Sequence, residues 1–320
     1  MFKLLILEDT FLSREIKKAV SKKDLVSYNF DRFKDGEMFI EYNDPVRGDD
    51  VVMVCSICEP VNDNLMKVLI ACDALKRSSA KSITLVAPYL GYTRQDRKTK
   101  PRQPITAKLV ADLLQTAGIN RVITCDLHAS QIEGFYNIPL DNVPISRIVG
   151  NQWFKNLGGD INKDDYVVVS PDSGGVSRAR SFALQLCIPR LAVINKYREK
   201  ANEVSSMQVI GDVKDKKCII IDDLVDTGGT LIKASQELRN IGAKEVYVLC
   251  THGVFSENAI ERLSNCDSIN NLFITNTIDK SKLLINDKIQ YVDVSKVLIA
   301  LIKTVSNGGS FHDTIANLMN

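Results

Sequence analysis

Short β-branched runs alternate with longer amphipathic stretches along nearly the whole chain, and this rhythm leaves few folds open. Candidate strands fall at 3–7, 51–55, 83–87, 122–125, 166–170, 191–195, 218–221 and 246–250. Helix-like stretches at 63–79, 104–116, 177–186 and 229–240 lie between them. Strands separated by helices predict parallel sheets in an α/β fold, because a parallel pair needs a crossover long enough to hold a helix. No segment is of low complexity, and no Pro- or Ser-rich linker interrupts the pattern. The 320 residues are enough for two domains.

Three segments share one plan: "ALKRSSAKSITLV" (74–86), "LLQTAGINRVITC" (113–125) and "ELRNIGAKEVYVLC" (237–250). Each ends a helix on a small residue or glycine, turns, and enters a β-branched strand. Gly118 and Gly242 suit the left-handed cap of such a helix. Two readings remain open: every αβ turn looks like this, or the chain holds two related α/β domains. The second places domains at 1–145 and 146–320, with "DNVPISRIVG" (141–150) as the crossing point.

The net charge of +2 gives no bulk attraction for nucleic acid, and no such partner is expected. Apolar runs such as 297–302 fall far short of the ~20 residues that cross a bilayer, so no membrane partner is expected either. "MFKLLILEDT" meets Glu8 and Asp9 at once and reads as a first strand, not a signal peptide. Cys125, Cys187, Cys218 and Cys250 sit in or beside apolar runs as small hydrophobes. Cys55 and Cys58 form a CxxC with no second ligand pair at zinc spacing. The expectation is a reduced, cytoplasmic protein.

The stretch "CIIIDDLVDTGGTLIKA" (218–234) carries the chemistry. A strand ending at Ile221 would bring a loop to the carboxyl edge of a sheet, where α/β proteins bind ligands. Backbone amides of Asp226, Thr227, Gly228, Gly229 and Thr230 would precede a helix and cradle an anion. Asp222 and Asp223, farther back, are placed to accept from sugar hydroxyls or hold hydrated magnesium. The loop would hold a phosphate, and the carboxylates the sugar and metal attached to it. The bland alternative is an acidic cap on an ordinary helix.

This run resembles the phosphoribosyl-pyrophosphate signature shared by phosphoribosyltransferases and the enzyme that makes their substrate. "RFKDGE" (32–37), "PVNDNLM" (60–66), "GYTRQDRK" (91–98), "PITAKLVADLL" (104–114), "DLHASQIEGF" (126–135), "VVSPDSGGVSRAR" (168–180) and "IGDV" (210–213) narrow the choice. Together they resemble the ribose-phosphate pyrophosphokinases of the common, phosphate-activated class, in order from about residue 3 to about residue 305. The resemblance implies two similar phosphoribosyltransferase-like α/β domains, an ATP-side one and a ribose-5-phosphate-side one, with the last ~20 residues packing back on the first. It implies transfer of the diphosphoryl group of ATP to the anomeric hydroxyl of ribose 5-phosphate. Two other readings share parts of this pattern: a non-catalytic regulatory paralogue of that enzyme, and a phosphoribosyltransferase.

No G-x-x-x-x-G-K-[ST] occurs, so ATP must be held by another set of groups. The resemblance assigns Arg94, Gln95, Asp96 and Arg97, and Arg suits bidentate contact with phosphate oxygens. Tyr92 is either packing or a base contact. Asp35, Gly36 and Glu37 match an adenine-contacting loop that reaches in from a neighbouring subunit; read alone they are a surface turn. His128 and Asp172 are implied to sit on magnesium, an unusual task for imidazole. Lys196 and Arg198 match a catalytic flap over the triphosphate. That flap departs from the family form, which reads closer to K-R-R-P-x-x-N: Tyr197 replaces an Arg, and Glu199 and Lys200 stand where Pro and a variable residue are usual. The resemblance further implies a homohexamer with an ATP site shared within a dimer, activated by inorganic phosphate and inhibited by ADP. Arg47, Ser78 and Ser306 are candidates for that regulatory site.

Overall fold

The computed structural model describes residues 2–156, 162–197, 206–280 and 287–319. They form two compact units. The first holds the chain up to Pro144 together with Val294–Leu318; the second is Ile145–Asp293.

In the first unit the order is β1 (Phe2–Ile6), α1 (Phe11–Lys18), β2 (Tyr28–Arg32), β3 (Met38–Tyr42), β4 (Asp50–Val54), α2 (Val61–Arg77), β5 (Ser82–Ala87), α3 (Thr106–Ala117), β6 (Arg121–Cys125) and β7 (Leu140–Val143). Helix α1 starts at a reciprocal cap: Thr10 Oγ1 accepts from the Ser13 amide at 3.1 Å, and Ser13 Oγ accepts from the Thr10 amide at 2.9 Å. β2 and β3 form a separate antiparallel hairpin. The other five strands make an all-parallel sheet in the order β1-β4-β5-β6-β7. Its central strands β4, β5 and β6 are largely apolar runs because both faces are buried. Leu5, Met53, Leu85 and Val122 pack against Val68, Ala71 and Leu75 of α2 and Val110, Ala111 and Leu114 of α3.

The second unit contains α4 (Ile145–Asn156), β8 (Tyr166–Ser170), α5 (Val176–Leu186), β9 (Leu191–Tyr197), β10 (Ser206–Ile210), β11 (Lys217–Val225), α6 (Gly229–Asn240), β12 (Glu245–Gly253), α7 (Ala259–Ser264), β13 (Asn271–Thr275) and β14 (Ile289–Val292). The sheet order is β10-β9-β8-β11-β12-β13-β14, parallel except for the β9–β10 edge pair. One face packs on α6 through Leu231, Ala234 and Leu238. The other packs on Trp153 of α4 and Phe182 of α5. Helices α8 (Ser295–Ser306) and α9 (Phe311–Met319) close the chain; α8 and most of α9 group with the first unit.

The recurring helix ends have one geometry. Ser79, Gly118, Cys187 and Gly242 all have positive φ, at +63°, +118°, +54° and +98°. The next residue in each case donates to the carbonyl five positions earlier: Ala80 to Leu75, Ile119 to Leu114, Ile188 to Ala183 and Ala243 to Leu238. These are the left-handed terminations that release a helix into a following strand. A serine and a cysteine in two of the four explain why the sequence repeat is weak.

The strand at 218–221 is longer than expected: β11 runs on to Val225, pairs Asp222 with Cys250 of β12 and carries Asp223 within the strand. The strand at 191–195 likewise extends through Tyr197 and pairs with β10, so the stems of the expected flap are a two-stranded ribbon. Trp153 is fully buried, edge-on to Phe273 at 5.1 Å between ring centroids and 5.8 Å from Phe182. Trp153→Ala should lower stability by about 3–5 kcal/mol, read as a shift of the urea midpoint.

Candidate functional site

Connectivity singles out one place in the second unit. From β8 the chain crosses through α5 to β9 on one side; from β11 it crosses through α6 to β12 on the other. The chain therefore diverges between β8 and β11, which is where open α/β sheets leave a crevice at their carboxyl ends. β11 pairs with β8 only through Ile220–Val169, then continues five residues beyond that pair to Val225. The loop after β8 carries Asp172, and the loop after β11 carries Asp226–Gly228, with Gly229 and Thr230 opening α6 rather than preceding it.

The second of these loops enters α6 at Gly228, whose φ of +74° is the left-handed conformation glycine permits. A side chain there would also strike Leu263 of α7, whose Cγ lies 2.9 Å from the position of a Cβ. Gly228, at the N-cap of α6, has no side chain with which to cap it. The first-turn amides of a helix have no intrahelical acceptor, which is the arrangement that favours an anion.

Beside it sits a charge group. Arg178 Nη1 reaches Asp223 Oδ1 at 3.1 Å and Asp222 Oδ1 at 3.5 Å. Asp223 is buried, its side chain 4% exposed, while that of Asp222 is 20% exposed. Asp222 Oδ1 also accepts from the Asp223 amide at 2.9 Å. Burial, then the neighbouring Asp223 charge, pushes the Asp222 carboxyl well above the usual carboxylate range, and Arg178 opposes that shift. Asp172 is held by a local turn: its Oδ1 accepts from the Gly175 amide at 2.9 Å, and its carbonyl accepts from Ser170 Oγ at 2.7 Å.

In the first unit the expected residues lie on loops after β5 and β6. Arg94, Gln95 and Arg97 are exposed and Asp96 is half-buried. Gln95 is fixed at the start of α3: its Oε1 accepts from Thr106 Oγ1 at 2.5 Å, and its carbonyl accepts from the Ala107 amide at 3.2 Å. Asp96 Oδ2 accepts from Gln131 at 3.3 Å, which ties this loop to the one carrying exposed His128. Tyr92 has φ +66°, packs on the core and donates its hydroxyl to Asn62. Asp35, Gly36 and Glu37 form the exposed hairpin tip between β2 and β3, with Gly36 at φ +98° and the Glu37 amide donating to Asp35 Oδ1 at 3.1 Å. Gly48 donates to the Ser79 carbonyl at 2.8 Å, which brings the Arg47 loop to the end of α2, where Ser78 is the cap; Ser306 ends α8. The backbone of Lys196 lies on β9 opposite Met207, while Arg198, Glu199 and Lys200 lie outside the described residues.

Arg178 carried no assignment from the sequence. One signal was available: it stands in the first turn of α5, where the helix field disfavours a cation unless an anion faces it. Among the described residues, no three His, Cys, Asp or Glu side chains gather as a ready-made metal site. Asp172, after β8, offers the carboxylate oxygen that magnesium prefers, with the remaining positions of such an ion usually taken by water or phosphate. The CxxC has no metal geometry either. Cys55 is buried and its thiol is pushed far above the usual range by burial and by Glu8, which makes it an inert packing group.

An anion cradle beside an acidic pair, at the switch point of a parallel sheet, suits a ligand that is at once phosphorylated and rich in hydroxyls. This is the class of phosphosugar-handling α/β proteins. Comparison with known proteins names the family. The N-terminal domain of ribose phosphate pyrophosphokinase matches residues 4–118, and the phosphoribosyl synthetase-associated domain matches residues 194–315. A ribose-phosphate pyrophosphokinase of Fusobacterium nucleatum is 47% identical over 302 residues, covering 93% of this chain and 94% of that protein. One from Clostridium perfringens is 52% identical over 83% of this chain and 82% of its own. The crystal structure of phosphoribosylpyrophosphate synthetase from Mycobacterium smegmatis superimposes with a TM-score of 0.86 at 38% identity, over 96% of this chain and 99% of that one. The chain belongs to the ribose-phosphate pyrophosphokinase family.

Two outcomes test the charge group. Arg178→Met leaves two adjacent carboxylates without their cation and should destabilise the fold by about 3 kcal/mol at neutral pH, measured by urea unfolding. Asp222→Asn should do the reverse. The folded protein protonates Asp222 at a higher pH than the unfolded chain does, so the ionised carboxylate costs stability at neutral pH. That cost fades as pH falls through the raised folded value. The Asn variant should therefore unfold at higher urea near pH 7.5, with the gap closed below about pH 3.9, the unfolded value.

Proposed function

We propose that this chain transfers the diphosphoryl group of ATP to the anomeric hydroxyl of ribose 5-phosphate, giving 5-phosphoribosyl 1-pyrophosphate and AMP. The observation that carries the reading is the glycine-started α6 N-terminus beside Asp222 and Asp223 at the β8/β11 switch point. The full-length likeness to enzymes named for this reaction supports it.

In this reading the amides of Asp226–Thr230 bind the 5-phosphate, and Asp222 accepts from the ribose hydroxyls. Asp223, paired with Arg178, fixes the Asp222 backbone and supplies little direct contact, because it is buried. Arg94, Gln95, Asp96 and Arg97 seat ATP, and Asp35, Gly36 and Glu37 contact its base from a neighbouring subunit. Lys196 and Arg198 neutralise charge on the transferring group. His128 and Asp172 would hold magnesium, which when bound would offset the charge of the phosphate oxygens. The flap excludes water, since hydrolysis of ATP is the competing reaction. The assembly is a homohexamer in the cytoplasm, activated by inorganic phosphate through Arg47, Ser78 and Ser306.

A regulatory, non-catalytic relative would be expected to lack the flap lysine or the metal carboxylates. Lys196, Arg198, His128, Asp172, Asp222 and Asp226 are all present, which favours the catalytic reading. Phosphorus NMR of the protein with ATP, magnesium and ribose 5-phosphate should show AMP and a new diphosphate on sugar carbon 1, only when the sugar is present. ADP as product would overturn the reading. Lys196→Ala should lower kcat by about a hundredfold or more with the ATP KM nearly unchanged; a variant within threefold of wild type would remove Lys196 from the mechanism.

A further inference from the structure

Helix α7 buttresses the phosphate-binding loop from the side. Leu263, 1% exposed, fills the space next to Gly228, so the left-handed turn has a fixed backing. One residue earlier, exposed Arg262 turns toward the same loop. Its Nη1 donates to the Thr227 carbonyl at 3.2 Å. Its Nη2 lies 3.6 Å from where a Cβ on Gly229 would stand, beside the open side of the α6 N-terminus. A backbone carbonyl this close to an anion site repels the anion unless a donor occupies its lone pair, and a guanidinium does that while adding positive charge. Lysine offers the charge without the planar fork.

We propose that Arg262 is a positioning residue for the 5-phosphate: it holds the Thr227 carbonyl out of the anion's way and gives the cradle a preference for a dianionic phosphate. This rests on the reading of the α6 loop as the ribose 5-phosphate site. The guanidinium acts through the loop and takes no part in transfer, so its removal moves sugar binding and leaves the chemical step alone.

The test uses the full-length protein with Arg262→Gln and Arg262→Lys. Binding of ribose 5-phosphate is followed by titration calorimetry, separately from turnover. Arg262→Gln should weaken ribose 5-phosphate about tenfold in both Kd and KM, the size of one lost charge-assisted hydrogen bond. The ATP KM, kcat at saturating sugar and the thermal midpoint should stay within twofold of wild type. Arg262→Lys should recover part of the loss, and wild-type sugar affinity should fall more steeply with added salt than that of the Gln variant. Unchanged sugar affinity in Arg262→Gln would overturn the proposal, as would a fall in kcat or in ATP affinity equal to that for the sugar. Failure of the underlying reading looks different: wild-type protein would then neither bind ribose 5-phosphate nor form AMP from ATP.

Discussion

Two carboxylates on consecutive residues of a buried strand set the terms for the second unit. Asp222 and Asp223 are tolerable there because Arg178 stands against both, and because β11 outruns its neighbour β8 and leaves one side open. An ion group of this kind is weak evidence for stability, since desolvation offsets most of the attraction. It is better understood as a device that fixes geometry. Arg178 comes from α5, the helix that leads away to β9, while the carboxylates lie on the strand that leads through α6 to β12. The charge group therefore ties together the two sides of the place where the chain diverges.

The two units solve different problems with similar parts. In the first, β4, β5 and β6 follow one another across the sheet in a single direction, so no divergence opens between central strands. Its candidate residues are instead held by loop-to-helix contacts, such as Gln95 to the start of α3 and Asp96 to Gln131. In the second, the helices lie on both faces and the crevice follows from topology itself. Shared helix ends at Ser79, Gly118, Cys187 and Gly242 show that one termination serves both units. That geometry is generic to helix-to-strand turns.

Much of the central fold was legible in the chain. The helix over 229–240 and the strand over 166–170 match the expected ranges residue for residue, because a glycine start, a β-branched run and clear punctuation mark them. The strands missed were β2, β3, β7, β10, β13 and β14, which lie in the hairpin or at and near sheet edges. Edge strands carry weaker apolar patterns because one or both faces meet solvent; β2, where exposed Asn29, Asp31 and Arg32 interrupt half-buried Tyr28 and Phe30, is the plainest case. The extent of β11 was missed for the opposite reason. "DD" reads as a strand end, and only a facing arginine makes it acceptable inside the sheet.

The sequence by itself determined the parallel α/β class and the family, since both are written in local order and spacing. It did not determine which strands would be neighbours. Strand order is a matter of long-range packing, and that order alone placed the Asp172 loop and the Asp222 end of β11 on either side of one switch point. Nor did it determine that Arg178 would face the acidic pair, or that Arg262 would reach the Thr227 carbonyl, 35 residues away along the chain. A guanidinium's partner is set by where its helix docks, and docking is decided by the burial of apolar faces such as those of Phe182 and Leu263.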